Sequence, residues 1–210
     1  MTITLESLPR LPNRKDFRIG CIGAGFIMRD CHLVAYRDAG FNPIAISSRS
    51  LERAEEVAQT RSIPTVHGTW QELIANPEIE VLDVAVPPDV QPSILKEAVK
   101  QKHIQGILAQ KPLAMTLEEA REVVALCDEA GIALAVNQNM RYDQSVRAAK
   151  DLLSKGWLGE PVLASIEMRA IPHWMPWSEG PRSLSTFIMS IHHLDTMRYW
   201  FGTPDRVMAS

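Results

Sequence analysis

Three groups of residues in this 210-residue chain have the types and spacing to do chemistry. Lys111 stands in the run Ala109-Gln110-Lys111-Pro112-Leu113, directly after the apolar stretch 104–108. Proline fixes its own φ and turns the preceding residue away from helix, so the lysine is set in a turn and aimed. Desolvating an ammonium is costly, which makes a lysine at the end of a buried run a candidate for work rather than decoration. His192 and Asp195 lie three apart in SLSTFIMSIHHLDTMRYWFG and share one helix face with Ile188 and Tyr199. A helical histidine on its own is as readily packed as basic, and His193 points about 100° away. The third group is Gly23-Ala24-Gly25 together with Ser47-Ser48-Arg49-Ser50, a loop and a hydroxyl–guanidinium cluster suited to phosphate.

The elements that must position these groups follow from the hydrophobic pattern. Apolar runs at 17–22, 42–47, 81–86, 104–108 and 132–136 read as buried strands. Amphipathic stretches at 26–39, 51–60, 69–75, 91–102 and 116–131 read as helices between them, the last opened by Thr116 with Glu119 and closed by Gly131. This alternation predicts an α/β fold with a parallel sheet covered on both faces. After about residue 137 the rhythm changes. A helix is expected over 142–155, a half-exposed strand of a mixed or antiparallel sheet over 162–170, a proline- and tryptophan-rich loop over 171–183 and a helix over 184–201. The expected organisation is an N-terminal extension at 1–15, a dinucleotide-binding domain at 16–140 and part of a second, α+β domain at 141–210.

Gly23 and Gly25 fall between the first strand and the first helix, where a Rossmann fold binds pyrophosphate. The first glycine permits the tight turn and the second lets backbone approach phosphate. Phe26 and Ile27 open a helix whose N–H groups face the anion. Met28 replaces the third glycine of the motif, so the helix is expected to stand slightly off the strand. At the end of the second strand an acidic residue would hold the ribose of NAD. Ser47, Ser48 and Arg49 stand there instead, and two hydroxyls and a guanidinium favour the 2′-phosphate of NADP. NADP is therefore expected in preference to NAD.

Composition removes several classes. The net charge is −3, which argues against nucleic-acid or anionic-membrane partners. Apolar residues make up 46% of the chain, enough for a core, yet no run approaches the roughly 20 residues of a membrane span. Cys21, Cys31 and Cys127 form no CxxC pair and no even framework, and no metal site is expected. The N-terminus lacks the apolar core of a signal peptide, so a cytoplasmic protein is expected.

The stretches GCIGAGFIMRDCH, VLDVAVPPDVQ, AQKPLAMTLEEA, NQNMRY, LGEPV and HHLDTMRYWFG, in this order, resemble the Gfo/Idh/MocA family of oxidoreductases (glucose–fructose oxidoreductase, inositol dehydrogenase and relatives). The resemblance implies a Rossmann domain followed by a substrate and oligomer domain. It implies hydride transfer between a nicotinamide and a hydroxyl of a sugar, polyol or sugar acid, and a homo-oligomer in the full-length form. Lys111 resembles the lysine of the family's Glu-Lys-Pro motif, which touches the nicotinamide ribose and the reacting hydroxyl. Gln110 stands where that motif has glutamate. Pro87 and Pro88 resemble the prolines beside the nicotinamide, Gln91 stands where histidine is common, and Gln110 and Asn139 join the implied cofactor set. His192 resembles the family's base, with Asp195 three residues on. Ile188 stands where an assisting aspartate is frequent.

The departures at Gln110 and Ile188 would suit a non-catalytic cofactor- or sugar-binding sensor, whereas Lys111 and His192 are what an enzyme keeps. Loss of the carboxylate at 110 is expected to lower the pKa of Lys111. Family members continue past the point matching FGTPDRVMAS, so the resemblance implies a chain cut short within its second domain.

Overall fold

The computed structural model describes residues 5–169 and 189–208. The chain divides into two compact units, Leu11–Asn137 and a second formed by the residues before and after it.

The first unit is built on strands β1 (Ile19–Ile22), β2 (Pro43–Ser47), β3 (Thr65–His67), β4 (Val81–Val84), β5 (Gly106–Ala109) and β6 (Ala133–Val136). All are parallel and lie in the order β3-β2-β1-β4-β5-β6. This is the doubly wound Rossmann order, whose switch point lies between β1 and β4. Helices α1 (Leu33–Ala39), α2 (Leu51–Arg61), α3 (Trp70–Ala75), α4 (Gln91–Ala98) and α5 (Leu117–Ala130) make the crossovers.

The sheet is buried on both faces because successive strand residues point opposite ways. Ile22, Ala45, Leu82 and Val84 join one core with Leu95 and Ile107, while Cys21 and Ile46 join the other with Met28, Leu33 and Val57. Asp83 is flanked by Leu82 and Val84, so it faces the second core, in register with Cys21.

The helix ends follow from their capping residues. Thr69 and Glu72 form a full capping box on α3. Thr116 accepts the Glu119 N–H to open α5, and Gly131 closes it in the left-handed region at φ +68°.

In this unit two features differ from the sequence expectation. The three-residue strand β3 was not anticipated, because Thr65-Val66-His67 has too few apolar residues to signal burial. The helix expected over 26–39 begins instead as a π-helical segment, Ile27–His32.

The second unit contains a 3₁₀ turn at Asn139–Tyr142, α6 (Gln144–Ser154) and α7 (Ile191–Phe201). Trp200 Nε1 donates to the Val146 carbonyl at 2.9 Å and Lys150 Nζ to the Trp200 carbonyl at 3.2 Å, tying the two helices. The N-terminal stretch belongs here too: the Glu6 N–H donates to Asp151 at 3.1 Å and Arg147 to the Leu8 carbonyl at 3.1 Å.

Residues 162–169 form no strand, contrary to expectation, and Val162 is 97% exposed. Alternation marks a face that needs a neighbouring strand, and none pairs with it among the described residues. The loop expected at 171–183 and Ile188 lie outside the described residues. Among the described residues no helix is long and apolar enough to cross a membrane.

Candidate cofactor and catalytic site

The carboxyl ends of β1, β2, β4 and β5 deliver the first unit's candidate residues to one edge of the sheet. Gly23 leaves β1 at φ +111°, and its N–H donates to the Ser47 carbonyl at 2.8 Å. A Cβ at Gly23 would lie 2.3 Å from the Ala85 carbonyl oxygen, so no side chain fits. A Cβ at Gly25 would meet nothing within 4 Å. Gly25 thus leaves bare backbone facing open space at a helix start, a cradle that fits a pyrophosphate. Phe26 and Ile27 are exposed beside it, while Met28 is fully buried against the sheet. The helix accommodates that methionine with its backbone widened to π-helical through His32.

The end of β2 divides the predicted ribose cluster. Ser47 is fully buried, and its hydroxyl has no partner among the described residues, so its side chain is not presented at the surface. Ser48 is half-buried and Arg49 exposed. Ser50 accepts the Arg53 N–H at 3.3 Å and caps α2. Ser48 and Arg49 are therefore the side chains available to a ligand.

After β4, the Pro87 carbonyl accepts the N–H groups of Val90 and Gln91, each at 3.1 Å, and launches α4. Pro88 is buried, so Pro87 is the more accessible of the pair. Gln91 departs from its predicted cofactor role. It is fully buried, and its Nε2 donates to the carbonyls of Gln110, Pro112 and Leu113 at 2.8, 3.2 and 3.1 Å. Its Oε1 accepts the Gln110 N–H at 2.8 Å. Gln91 is a clamp on the lysine turn.

Lys111 follows β5 on that turn, joined to Pro112 by a cis peptide bond. Burial pulls its ammonium below the usual lysine range. The direction is the one expected from the sequence, but the cause is desolvation.

Gln110 reaches a polar group buried behind the turn. Its Nε2 lies 2.9 Å from His32 Nε2, as does Asn137 Nδ2. His32 Nδ1 lies 2.7 Å from Asp83 Oδ2, which also accepts the Tyr36 hydroxyl at 2.8 Å. Burial first, then the Asp83 carboxylate, push the Tyr36 phenol and the Cys21 thiol upward, so both stay neutral. His32, Tyr36, Asp83 and Asn137 were not singled out from sequence. The available signal was an aspartate inside the apolar strand VLDVAV.

In the second unit, His192 is buried on α7. Arg141 Nε and Nη2 donate to the two oxygens of Asp195 at 2.5 and 2.8 Å, and the guanidinium lies 5.3 Å from the Tyr199 ring centroid. The predicted catalytic Asp195 is thus held in a bidentate pair by Arg141, a residue whose role the sequence did not reveal. Asn139 is exposed in the 3₁₀ turn. Among the described residues no group of three or more His, Cys, Asp or Glu is assembled as a metal site.

Known proteins resemble this chain in sequence and in fold. The model of the Gfo/Idh/MocA oxidoreductase family, NAD-binding Rossmann fold, matches residues 17–138. The chain is 32% identical over 189 residues to 1,5-anhydro-D-fructose reductase of Ensifer adhaerens, covering 87% of this chain and 56% of that protein. It is 28% identical over 200 residues to D-apiose dehydrogenase of Paraburkholderia graminis, covering 93% and 52%. An oxidoreductase from Agrobacterium radiobacter, solved with NAD+, L-tartaric acid and magnesium, superposes with a TM-score of 0.82 at 26% identity, covering 89% and 55%. The chain spans about half the length of the curated relatives it matches.

Proposed function

The chain belongs to the Gfo/Idh/MocA oxidoreductase family, and from that premise we propose that the protein it represents is an NAD(P)-dependent dehydrogenase of CH–OH groups in a sugar, polyol or sugar acid. The observation that carries this reading is Lys111: a half-buried ammonium at the carboxyl end of β5, fixed through its turn by Gln91 and Gln110. Residues 16–140 serve as the dinucleotide-binding domain and residues 141–210 as part of the substrate domain.

A bound nicotinamide supplies the acceptor or donor for hydride. Gly23 and Gly25 shape the loop that receives the pyrophosphate, and Pro87 borders the nicotinamide. Ser48 and the exposed guanidinium of Arg49 hold a 2′-phosphate, which makes NADP the preferred cofactor. Lys111 donates to the carbinol oxygen and stabilises the alkoxide that develops there. Its lowered pKa makes that ammonium a readier hydrogen-bond and proton donor to the reacting oxygen. His192 accepts the hydroxyl proton. Arg141 holds the Asp195 carboxyl in a bidentate pair, three residues from that base.

The names of the relatives, a 1,5-anhydro-D-fructose reductase and a D-apiose dehydrogenase, support sugars as the substrate class. The test is nicotinamide absorbance during incubation of the full-length protein with a panel of sugars, polyols and sugar acids. Net reduction of NADP with one of them is expected. Bound cofactor that never changes redox state across the panel would instead support a sensor.

A further inference from the structure

The two ends of the Gln110 amide meet different groups, and this decides the protonation of a buried histidine. Gln110 Oε1 accepts the backbone N–H of Lys111 at 3.2 Å. A backbone N–H can only donate, so the oxygen of Gln110 must face Lys111 and its amino end must face His32. His32 Nε2, at 2.9 Å, is then the acceptor and carries no proton. Asn137 Nδ2 approaches the same nitrogen at 2.9 Å and donates likewise. The ring proton sits on Nδ1 and is donated to Asp83 Oδ2 at 2.7 Å.

We infer that Gln110 fixes His32 as the neutral, Nδ1-protonated tautomer, and that His32, seated on Asp83, is a positioning residue for the Gln110–Lys111 turn. The tautomer stands on geometry alone. Its consequence for chemistry rests on the reading of Lys111 as the catalytic cation.

The groups facing the ring agree. Asp83 comes from β4 and is fully buried. Tyr36, from α1, spends its hydroxyl on Asp83. Cys21, opposite on β1, stays a neutral thiol. Asn137, just after β6, and Gln110 are uncharged amides. The nearby Arg29 and Asp30 pair with each other, and Asp30 also accepts from Arg61. Lys111 lies beyond Gln110.

The same geometry says what a carboxylate at 110 would do. An ionised glutamate only accepts, so it would draw a proton onto His32 Nε2 as well as taking the Lys111 N–H. The ring would become an imidazolium between two carboxylates. One negative charge and one proton arrive together, so the buried net charge is unchanged. Glutamine at 110 therefore selects an uncharged relay over a charged one.

The test is nitrogen NMR of the 210-residue chain labelled at histidine, with His32 assigned through its backbone. The expected spectrum at neutral pH shows protonated Nδ1 and unprotonated Nε2. In Gln110→Glu both nitrogens should be protonated under the same conditions. An Nε2-protonated ring or an imidazolium in the unaltered chain would overturn the assignment, as would an unchanged ring in Gln110→Glu that still folds. The positioning half has its own readout, exchange of the Lys111 backbone amide. That exchange should quicken at least tenfold in Gln110→Ala and in step with any protonation of His32 on acidification. A Lys111 amide indifferent to both overturns it. None of these signals needs turnover, so an inactive full-length enzyme would count against the proposed function and leave the tautomer standing.

Discussion

The side chain of Gln91 and the backbone of Gln110 bond to each other in both directions, each bond at 2.8 Å. A residue from the start of α4 thereby holds the turn that carries Lys111. Gln91→Leu would strand the carbonyls of Pro112 and Leu113, whereas the Gln110 N–H would keep its bond to the Val84 carbonyl at 3.1 Å. Each unsatisfied buried group costs about 1–3 kcal/mol, and a loss of roughly 2–4 kcal/mol in unfolding free energy is expected. Urea denaturation of the two proteins measures it. A change below about 0.5 kcal/mol would mean that the turn holds itself.

Cofactor preference should follow Ser48 and Arg49. Arg49→Ala should weaken NADPH binding about tenfold or more, the scale of one charged hydrogen bond, and leave NADH binding within about twofold. Ser48→Asp should reverse the preference by repelling the 2′-phosphate. Fluorescence titration with both cofactors decides. Tighter NADH binding by the unaltered protein contradicts this reading.

Lys111→Ala and His192→Ala in the full-length enzyme should each lower turnover by the ~10²–10⁴ typical of acid–base groups. Cofactor affinity should survive both. Normal turnover in His192→Ala would move the base to another residue, with His193 the nearest candidate.

Stability in acid should depend on Glu80. Hydrogen bonds from Arg14, then from the Arg18 backbone, hold its carboxyl at about 2, below the ordinary 4.5. A depressed pKa contributes stability that is complete above the ordinary value and is lost as pH falls through the folded one. The stability gap between the unaltered chain and Glu80→Gln should therefore be constant near neutrality and close between about pH 4.5 and 2. Thermal melts across that range test it, and a gap that persists at the acid end would assign the effect to packing.

The parallel sheet and the glycine turn were legible because apolar runs such as VLDVAV and the placement of Gly23 record burial and backbone shape directly. Lys111 was legible through Pro112. The supporting residues were not. Gln91 and Arg141 look like ordinary polar helix or turn residues, and their partners lie 19 and 54 positions away. Ser47 looked like a ribose ligand because sequence gives its place at the strand end but not the direction of its side chain. The strand expected over 162–170 relied on alternation alone, which describes one segment and says nothing of a neighbour to pair with.

The sheet order also has a mechanical consequence. β1, β2 and β3 form one half and β4, β5 and β6 the other, joined edge to edge where Ile19–Ile22 meets Val81–Val84. Contacts inside each half close short loops, whereas this seam pairs residues about 60 positions apart and costs the most entropy to close. The glycine turn and Pro87 sit on opposite sides of that seam. A dinucleotide lying across both would act as a suture. Amide exchange at the β1–β4 pairing should therefore slow on adding NADPH by a larger factor than exchange at the β2–β3 or β5–β6 pairings. Uniform slowing across the sheet would show that the two halves already open and close as one piece.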